Sequence, residues 1–329
     1  MSLTSKSPRK VALVALAVGT EALRPYAHRF APKVFTQPQL FACLVLMVYE
    51  GWDYRAAEQH LRDLPALGQW LGLRKVPDHS TLHKAAQRFF GPAVTARLLA
   101  CTVRRIMGRR RWVRLAALDS TGFESHHVSP YFVRRRQRGQ TQRINPLFQT
   151  TTYTRFPKLA ALCDCATHLI LAALPARGPS ADQPHFAAAL DAAARCASFS
   201  TLLADAGYDG EAHHRYAREE HGVRSIIPPK AGRPTSKPPS GHYRRLMAHC
   251  WQRLKKTYGQ RWQDETVFSM IKRNLRHELT SRKLHAQHRE LRWLAVVHNI
   301  MILLFKARFS TEQDRPGYSV LGQVSVGPS

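Results

Sequence analysis

Acidic residues are the scarce class in this chain. Its 329 residues hold 22 Asp and Glu against 50 Lys and Arg, a formal net charge of +28. Such an excess repels itself in isolation, so the working state is expected to include a polyanion, and nucleic acid leads. An enzyme of small metabolites would gain nothing from this field. Cysteine is also sparse. Cys43, Cys101, Cys163, Cys165, Cys196 and Cys250 contain no Cys-x-x-Cys pair, which removes zinc ribbons and thioredoxin-like redox sites. Buried thiols in a reducing cytoplasm are the expectation. Long apolar runs are missing too. Val11 to Val18, preceded by Lys6, Arg9 and Lys10, is too short and lacks a following cleavage site, so it reads as a buried element. Leu291 to Phe305 is broken by Arg292, His298 and Asn299, which suits a core helix better than a membrane span. A cytoplasmic protein with no membrane partner is expected.

What is present is enough apolar residue, 44%, to build an ordinary packed core. Residues 1–110 read as helical. Thr36 and Gln39 form a capping box before Leu40 to Tyr49, Asp53 caps Tyr54 to Leu64, and Pro77, Asp78 and Ser80 announce a third start. Three short helices of this kind resemble a helix-turn-helix unit, whose third helix would offer Thr81, His83, Lys84, Gln87 and Arg88 to a DNA groove. A small helical bundle used only for packing fits the same pattern.

The character changes near residue 110, after a crowd of arginines. Val113 to Leu118, Leu147 to Tyr153, Leu159 to Cys165 and His168 to Leu174 read as strands, the last three as an antiparallel meander. Gln183 to Ala197 is an alanine-rich helix. The strand Thr201 to Ala204, a helix at Glu211 to Glu220 and the strand Val223 to Ile227 form a parallel section. The second domain, 111–309, is therefore α/β with a mixed sheet flanked by helices. It carries a Pro-, Lys- and Arg-rich loop at about 228–250, and residues 310–329 are a tail.

Two acids stand alike. Asp119 ends the strand Val113 to Leu118, and Asp205 ends Thr201 to Ala204, so both carboxylates are placed over the edge of a rigid sheet. Either alone reads equally as a turn residue. A third acid comes from a helix. At about 100° per residue, Tyr258, Arg261, Glu265 and Lys272 fall within an arc of roughly 60°, with Val267, Met270, Ile271 and Leu275 opposite. Read alone, that face is an ordinary solvated one; Asp264 reads as a first-turn complement to the helix dipole and Asp209 as a turn residue. Acids arriving from strand, strand and helix are what a two-metal phosphoryl-transfer site needs, because Mg2+ prefers hard carboxylate oxygens. Rival sites are weaker. Glu124 and Asp164 are substitutes only if the strand register is off. His277-Glu278 starts a zinc-protease string, but position 281 is Ser. No His-x-His occurs, so the paired-histidine site of single-strand transposases and relaxases is missing.

Three blocks together carry a resemblance: Ala117-Leu-Asp119-Ser-Thr-Gly122, then Ala204-Asp205-Ala-Gly-Tyr208-Asp209, then Tyr258-x2-Arg261-x3-Glu265-x6-Lys272. In this order the chain resembles the DDE transposases of bacterial insertion sequences, whose catalytic domain is RNase H-like. Ala206 stands where that family often has glycine. The resemblance implies that Asp119, Asp205 and Glu265 bind two Mg2+ or Mn2+ ions, and that Tyr258, Arg261 and Lys272 grip phosphates near the cleaved end. It implies double-stranded DNA as partner, both as element ends and as target, a homodimer on DNA to pair two ends, and no nucleotide cofactor. The host would be bacterial or archaeal. Arg134, Arg135 and Arg136, within the basic stretch 134–143, and the stretch 228–245 are expected to line the DNA path. A non-catalytic or domesticated derivative and an RNase H-fold nuclease without strand transfer remain the alternatives. The intact acids argue against the first and the N-terminal module against the second.

Overall fold

The computed structural model describes residues 7–125, 156–229 and 239–313. Arg134, Arg135 and Arg136, and the strand expected at 147–153, lie outside the described residues.

The N-terminal region is helical: α1 (Pro8–Ala22), α2 (Gln37–Tyr49), α3 (Tyr54–Asp63), α4 (Pro65–Trp70), α5 (His79–Phe89) and α6 (Pro92–Met107). The capping box forms as its residues dictate: the Thr36 side chain accepts from Gln39 N–H, and Gln39 accepts from Thr36 N–H at 2.9 Å. Asp53 and Asp78 cap α3 and α5 through Ala56 N–H and Thr81 N–H, each at 2.8 Å. The α2 helix is apolar on every side and accordingly runs through the middle of the core, with Phe41 to Val48 buried. The short α4 was not anticipated. It fills the connection between α3 and α5, which is therefore longer than the tight turn the three-helix reading requires.

A five-stranded sheet follows, in the order β4-β3-β1-β5-β6. Its strands are β1 (Trp112–Gly122), β3 (Phe156–Asp164), β4 (Ile170–Gly178), β5 (Ser198–Ala204) and β6 (Arg224–Ile226); β1, β3 and β4 pair antiparallel, while β1, β5 and β6 pair parallel. This is the expected mixed sheet, in the RNase H-like arrangement. Strand β3 is buried without interruption from Pro157 to Asp164, so both faces of the sheet are covered. Helix α7 (Phe186–Cys196) packs on β3, β4 and β5. After β5 come the short α8 (Glu211–Arg215), which continues as a wider turn to Glu220, then α9 (His242–Tyr258), α10 (Trp262–Asn274) and α11 (Leu284–Gln313). A small parallel pair, β2 (Glu124–Ser125) with β7 (Glu278–Leu279), closes the end beyond α10.

Two boundaries differ from expectation. Helix α9 begins at His242, inside the stretch expected to be loop to about 250, because its start is capped from another element. Helix α11 continues to Gln313, past the expected tail boundary at 310. Helix α11 is also the seam between the two regions. It touches α1, α2 and α6 on one side and β3 and β4 on the other. Asn299, fully buried, accepts from Ile170 N–H at 2.8 Å and donates to Ile170 C=O and Thr102 Oγ1, both at 2.9 Å. One amide thus ties edge strand β4 to α6. Among the described residues, no helix is long and apolar enough to cross a membrane.

Candidate active site

The parallel pairing of β1 with β5 sets the first two acids side by side. Leu118 lies opposite Ala204 in register, so the next residues, Asp119 and Asp205, leave neighbouring strands at the same level. Adjacent strands lie about 4.8 Å apart. Asp119 is expected to end its strand and does not; β1 runs on to Gly122, so backbone pairing with β3 before and after Asp119 holds it in place. Asp205 is exposed and opens a short turn at Ala206–Tyr208.

Arg261 joins Asp119 to the helical acid. Its Nη1 donates to Asp119 Oδ2 at 2.6 Å and its Nη2 to Glu265 Oε1 at 3.0 Å. Ser120 N–H donates to the other Asp119 oxygen at 2.8 Å. Burial raises the Asp119 pKa above the usual carboxylate range; Ser120 N–H and Arg261 oppose this, and the neighbouring Asp205 charge adds to it. Lys272, one turn from the end of α10, donates to Thr121 Oγ1 at 2.8 Å and stands 5.2 Å above the Phe123 ring. Burial lowers its pKa.

The four residues expected on one helix face do share one side, but not one helix. Tyr258 is the last residue of α9, Arg261 ends a single 3₁₀ turn, and Glu265 and Lys272 belong to α10. The burial of Val267, Met270 and Ile271 follows the expected opposite stripe. Tyr258 packs edge-on against Trp251, with ring centres 5.0 Å apart. Asp264 lies in the first turn of α10, where a dipole complement is expected, but not in solvent. It is fully buried, takes a hydrogen bond from the Cys163 thiol, and burial holds its pKa well above the carboxylate range.

Two acids near the site had no signal as partners in the sequence. Asp182 accepts from Ser120 Oγ at 2.7 Å and pairs with Lys158 at 2.5 Å, which ties the loop after β4 to the strand that carries Asp119. Asp209 is buried and receives both Arg244 Nε at 3.0 Å and Arg244 Nη2 at 2.8 Å. Two residues on, Glu211 accepts the Tyr243 and Arg244 backbone N–H groups, both at 3.1 Å, and so caps α9 from outside. Gly241 makes this possible: its φ is +97°, and the Glu211 carboxylate fills the space a Cβ would take. Arg218 stands 5.1 Å above the Tyr243 ring. The block Tyr208 to Glu211 therefore clamps the start of the helix whose end delivers Tyr258.

On the N-terminal side, Lys84 and Arg88 are exposed on α5 together with His83 and Gln87. Thr81 is partly engaged elsewhere, since its hydroxyl donates to Asp78 at 3.1 Å in the helix cap. His79 pairs with Glu58 of α3 at 2.8 Å, which fixes α5 against α3.

Among the described residues no three His, Cys, Asp or Glu side chains stand close enough together to hold one metal ion. Arg261 occupies the space between Asp119 and Glu265. The donor chemistry nonetheless suits a hard divalent cation: two carboxylates from neighbouring strands repel each other, and Asp119 ionises against burial.

A family model described as "Transposase DDE domain" matches residues 114–300. Among solved structures, the chain is similar to a piggyBac transposase synaptic complex with hairpin DNA, at 10% identity and a TM-score of 0.41, over 95% of this chain and 75% of that one. It is also similar to the Mos1 mariner paired-end complex with Mn, at 12% identity and a TM-score of 0.23, over 88% of this chain and 82% of that one. No curated protein matches it.

Proposed function

Because the chain belongs to the transposase DDE-domain family, we propose that it is a DNA transposase whose active site is Asp119, Asp205 and Glu265. The carrying observation is the register of β1 and β5, which sets Asp119 and Asp205 side by side, with Arg261 linking Asp119 to Glu265. These three side chains would hold Mg2+ or Mn2+, two ions per site. Such ions, when bound, supply an activated water and neutralise the charge that grows on phosphate oxygens during in-line displacement.

The chain's own residues do the remainder. Water attacks the phosphorus at the element end, the bond to the 3′ oxygen breaks, and a 3′-OH is freed. That hydroxyl then attacks a phosphorus of the target and displaces a second 3′ oxygen, so no covalent link to the protein and no nucleotide are needed. Arg261 is engaged by two carboxylates; as a bidentate donor it can move to a phosphate when DNA enters. Lys272, bonded to Thr121 two residues after Asp119, and Tyr258, three residues before Arg261, stand ready beside the acids, and Lys84 and Arg88, with Thr81 on the same helix, present a polar helix to the element end. The net charge of +28 supplies the long-range attraction for two duplexes. A homodimer on DNA follows from the need to hold two ends. The test is Glu265→Gln with a labelled element end. Glu265 is mostly exposed, with 62% of its side chain accessible, so the fold and DNA binding should survive. Cleavage in Mg2+ should fall by several orders of magnitude, about as removal of an essential ligand does elsewhere. Full cleavage by this variant would refute the assignment.

A further inference from the structure

Helix α9 is poorly explained as packing. Over its 17 residues only Met247 and Leu254 are buried. From His242 to Gln263 the chain contains no acid at all. On a helical projection Arg245, His249, Arg253 and Lys256 fall within an arc of about 80°. All four are exposed, and Gln252 and His242, also exposed, extend the same face. Met247, Leu254 and Tyr258 lie on the other side. Arg244, which faces inward, is the cation already committed to Asp209.

We propose that this outer face of α9 is a phosphate-tracking surface that guides a DNA duplex into the carboxylate site. This rests on the transposase reading. Three features select duplex DNA over an acidic protein. The face is cationic along its length; Leu246, 36% exposed at its edge beyond Arg253, is the one large apolar side chain exposed on α9, so the cluster of apolar anchors that a protein interface centres on is not built there. From Arg245 to Lys256 it spans about 16 Å, or roughly five base-pair steps of ~3.4 Å along the duplex axis. Its C-terminal end, at Lys256, is five residues before Arg261, which bonds Asp119, so a backbone followed along it is led toward the carboxylate site. The clamp at the opposite end, Asp209 with Arg244 and Glu211 with the first turn, gives this thinly packed helix a fixed direction.

The test is the full chain with Arg245, Arg253 and Lys256 all changed to Gln, measured by fluorescence anisotropy on a DNA duplex from 50 to 300 mM salt. The three side chains are exposed, so circular dichroism and the thermal midpoint should match wild type. The slope of log affinity against log salt should shrink by about 2 to 3, since each lost phosphate contact removes about 0.9. Affinity near physiological salt should fall about tenfold to a hundredfold. A His249→p-benzoylphenylalanine variant should crosslink to the duplex on illumination. An unchanged slope, or no crosslink from a protein that still binds, overturns this inference alone. A wild-type chain that binds no duplex overturns the transposase reading instead. Tighter wild-type binding to an RNA duplex of equal length, with the same loss of slope, would reassign the face to RNA.

Discussion

Replacing Arg244 with methionine removes the guanidinium from Asp209 and keeps most of the packing volume. Asp209 cannot turn to solvent, since its side chain is 1% exposed. Breaking a buried ion pair from one side costs about 3–5 kcal/mol. The value here should be somewhat smaller, about 2–4 kcal/mol, for two reasons. Arg244 is itself 24% exposed, so part of its interaction is screened. His214 Nε2 also lies 3.8 Å from Asp209 Oδ1 and can take up a proton. In the wild type that imidazole is held neutral, its pKa pushed down to about 4, first by burial and then by Arg218. Without Arg244 the carboxylate loses its guanidinium and favours imidazolium more, so the folded-state pKa of His214 rises toward its ordinary value. The loss should therefore be larger at pH 8, where His214 stays neutral, than at pH 5.5. Urea unfolding at the two values measures this, and hydrogen exchange across 242–258 shows whether α9 loosens first. Adding Asp209→Asn should recover most of the loss, because the buried negative charge that Arg244 compensates is then gone as well. A cost under about 0.5 kcal/mol at pH 8, the size of an ordinary surface change, would refute the clamp.

Other outcomes follow from the same geometry. Lys272→Ala leaves the three acids in place but removes a cation beside Thr121, so end binding and strand transfer should weaken while some hydrolysis remains in a gel assay. Asn299→Leu strands both the N–H and C=O of Ile170 on an edge strand. At about 1–3 kcal/mol per unpaired group it should cost about 2–6 kcal/mol in urea unfolding, with early loss of exchange protection in β4. His298 donates to His168 C=O at 2.9 Å, and burial holds its pKa at about 4. The unfolded chain takes up this proton near pH 6.5, so the stabilisation is complete above that and is lost as pH falls toward 4, by about 3 kcal/mol. His298→Gln keeps a donor without the titration and should flatten the stability profile across that window; an unchanged profile would place the acid sensitivity elsewhere.

Local signals with a short reach were legible in the sequence. Caps at Thr36, Asp53 and Asp78 fixed helix starts because each needs only a side-chain oxygen and an N–H three residues on. The alternation of apolar strand and polar punctuation gave β1 and the order from β3 to β6, though not the short β2, and the spacing of Glu265 and Lys272 put them on one side of a helix. Asp119 and Asp205 could be named because each follows a buried apolar run. Partners far apart in the chain were decided only by the tertiary structure. Nothing local says that Leu118 meets Ala204, which brings two acids 86 residues apart to one edge. The burial of Asp264 depends on β3 presenting Cys163 beneath α10, so an acid read only as a dipole complement is enclosed. The start of α9 at His242 is set by Glu211, 31 positions earlier, which supplies from outside the cap that the residues before the helix lack. Helix and strand are short-range consequences of dihedral preference and periodicity; which charge sits against which is fixed by packing, where the loss of solvent makes each pairing matter.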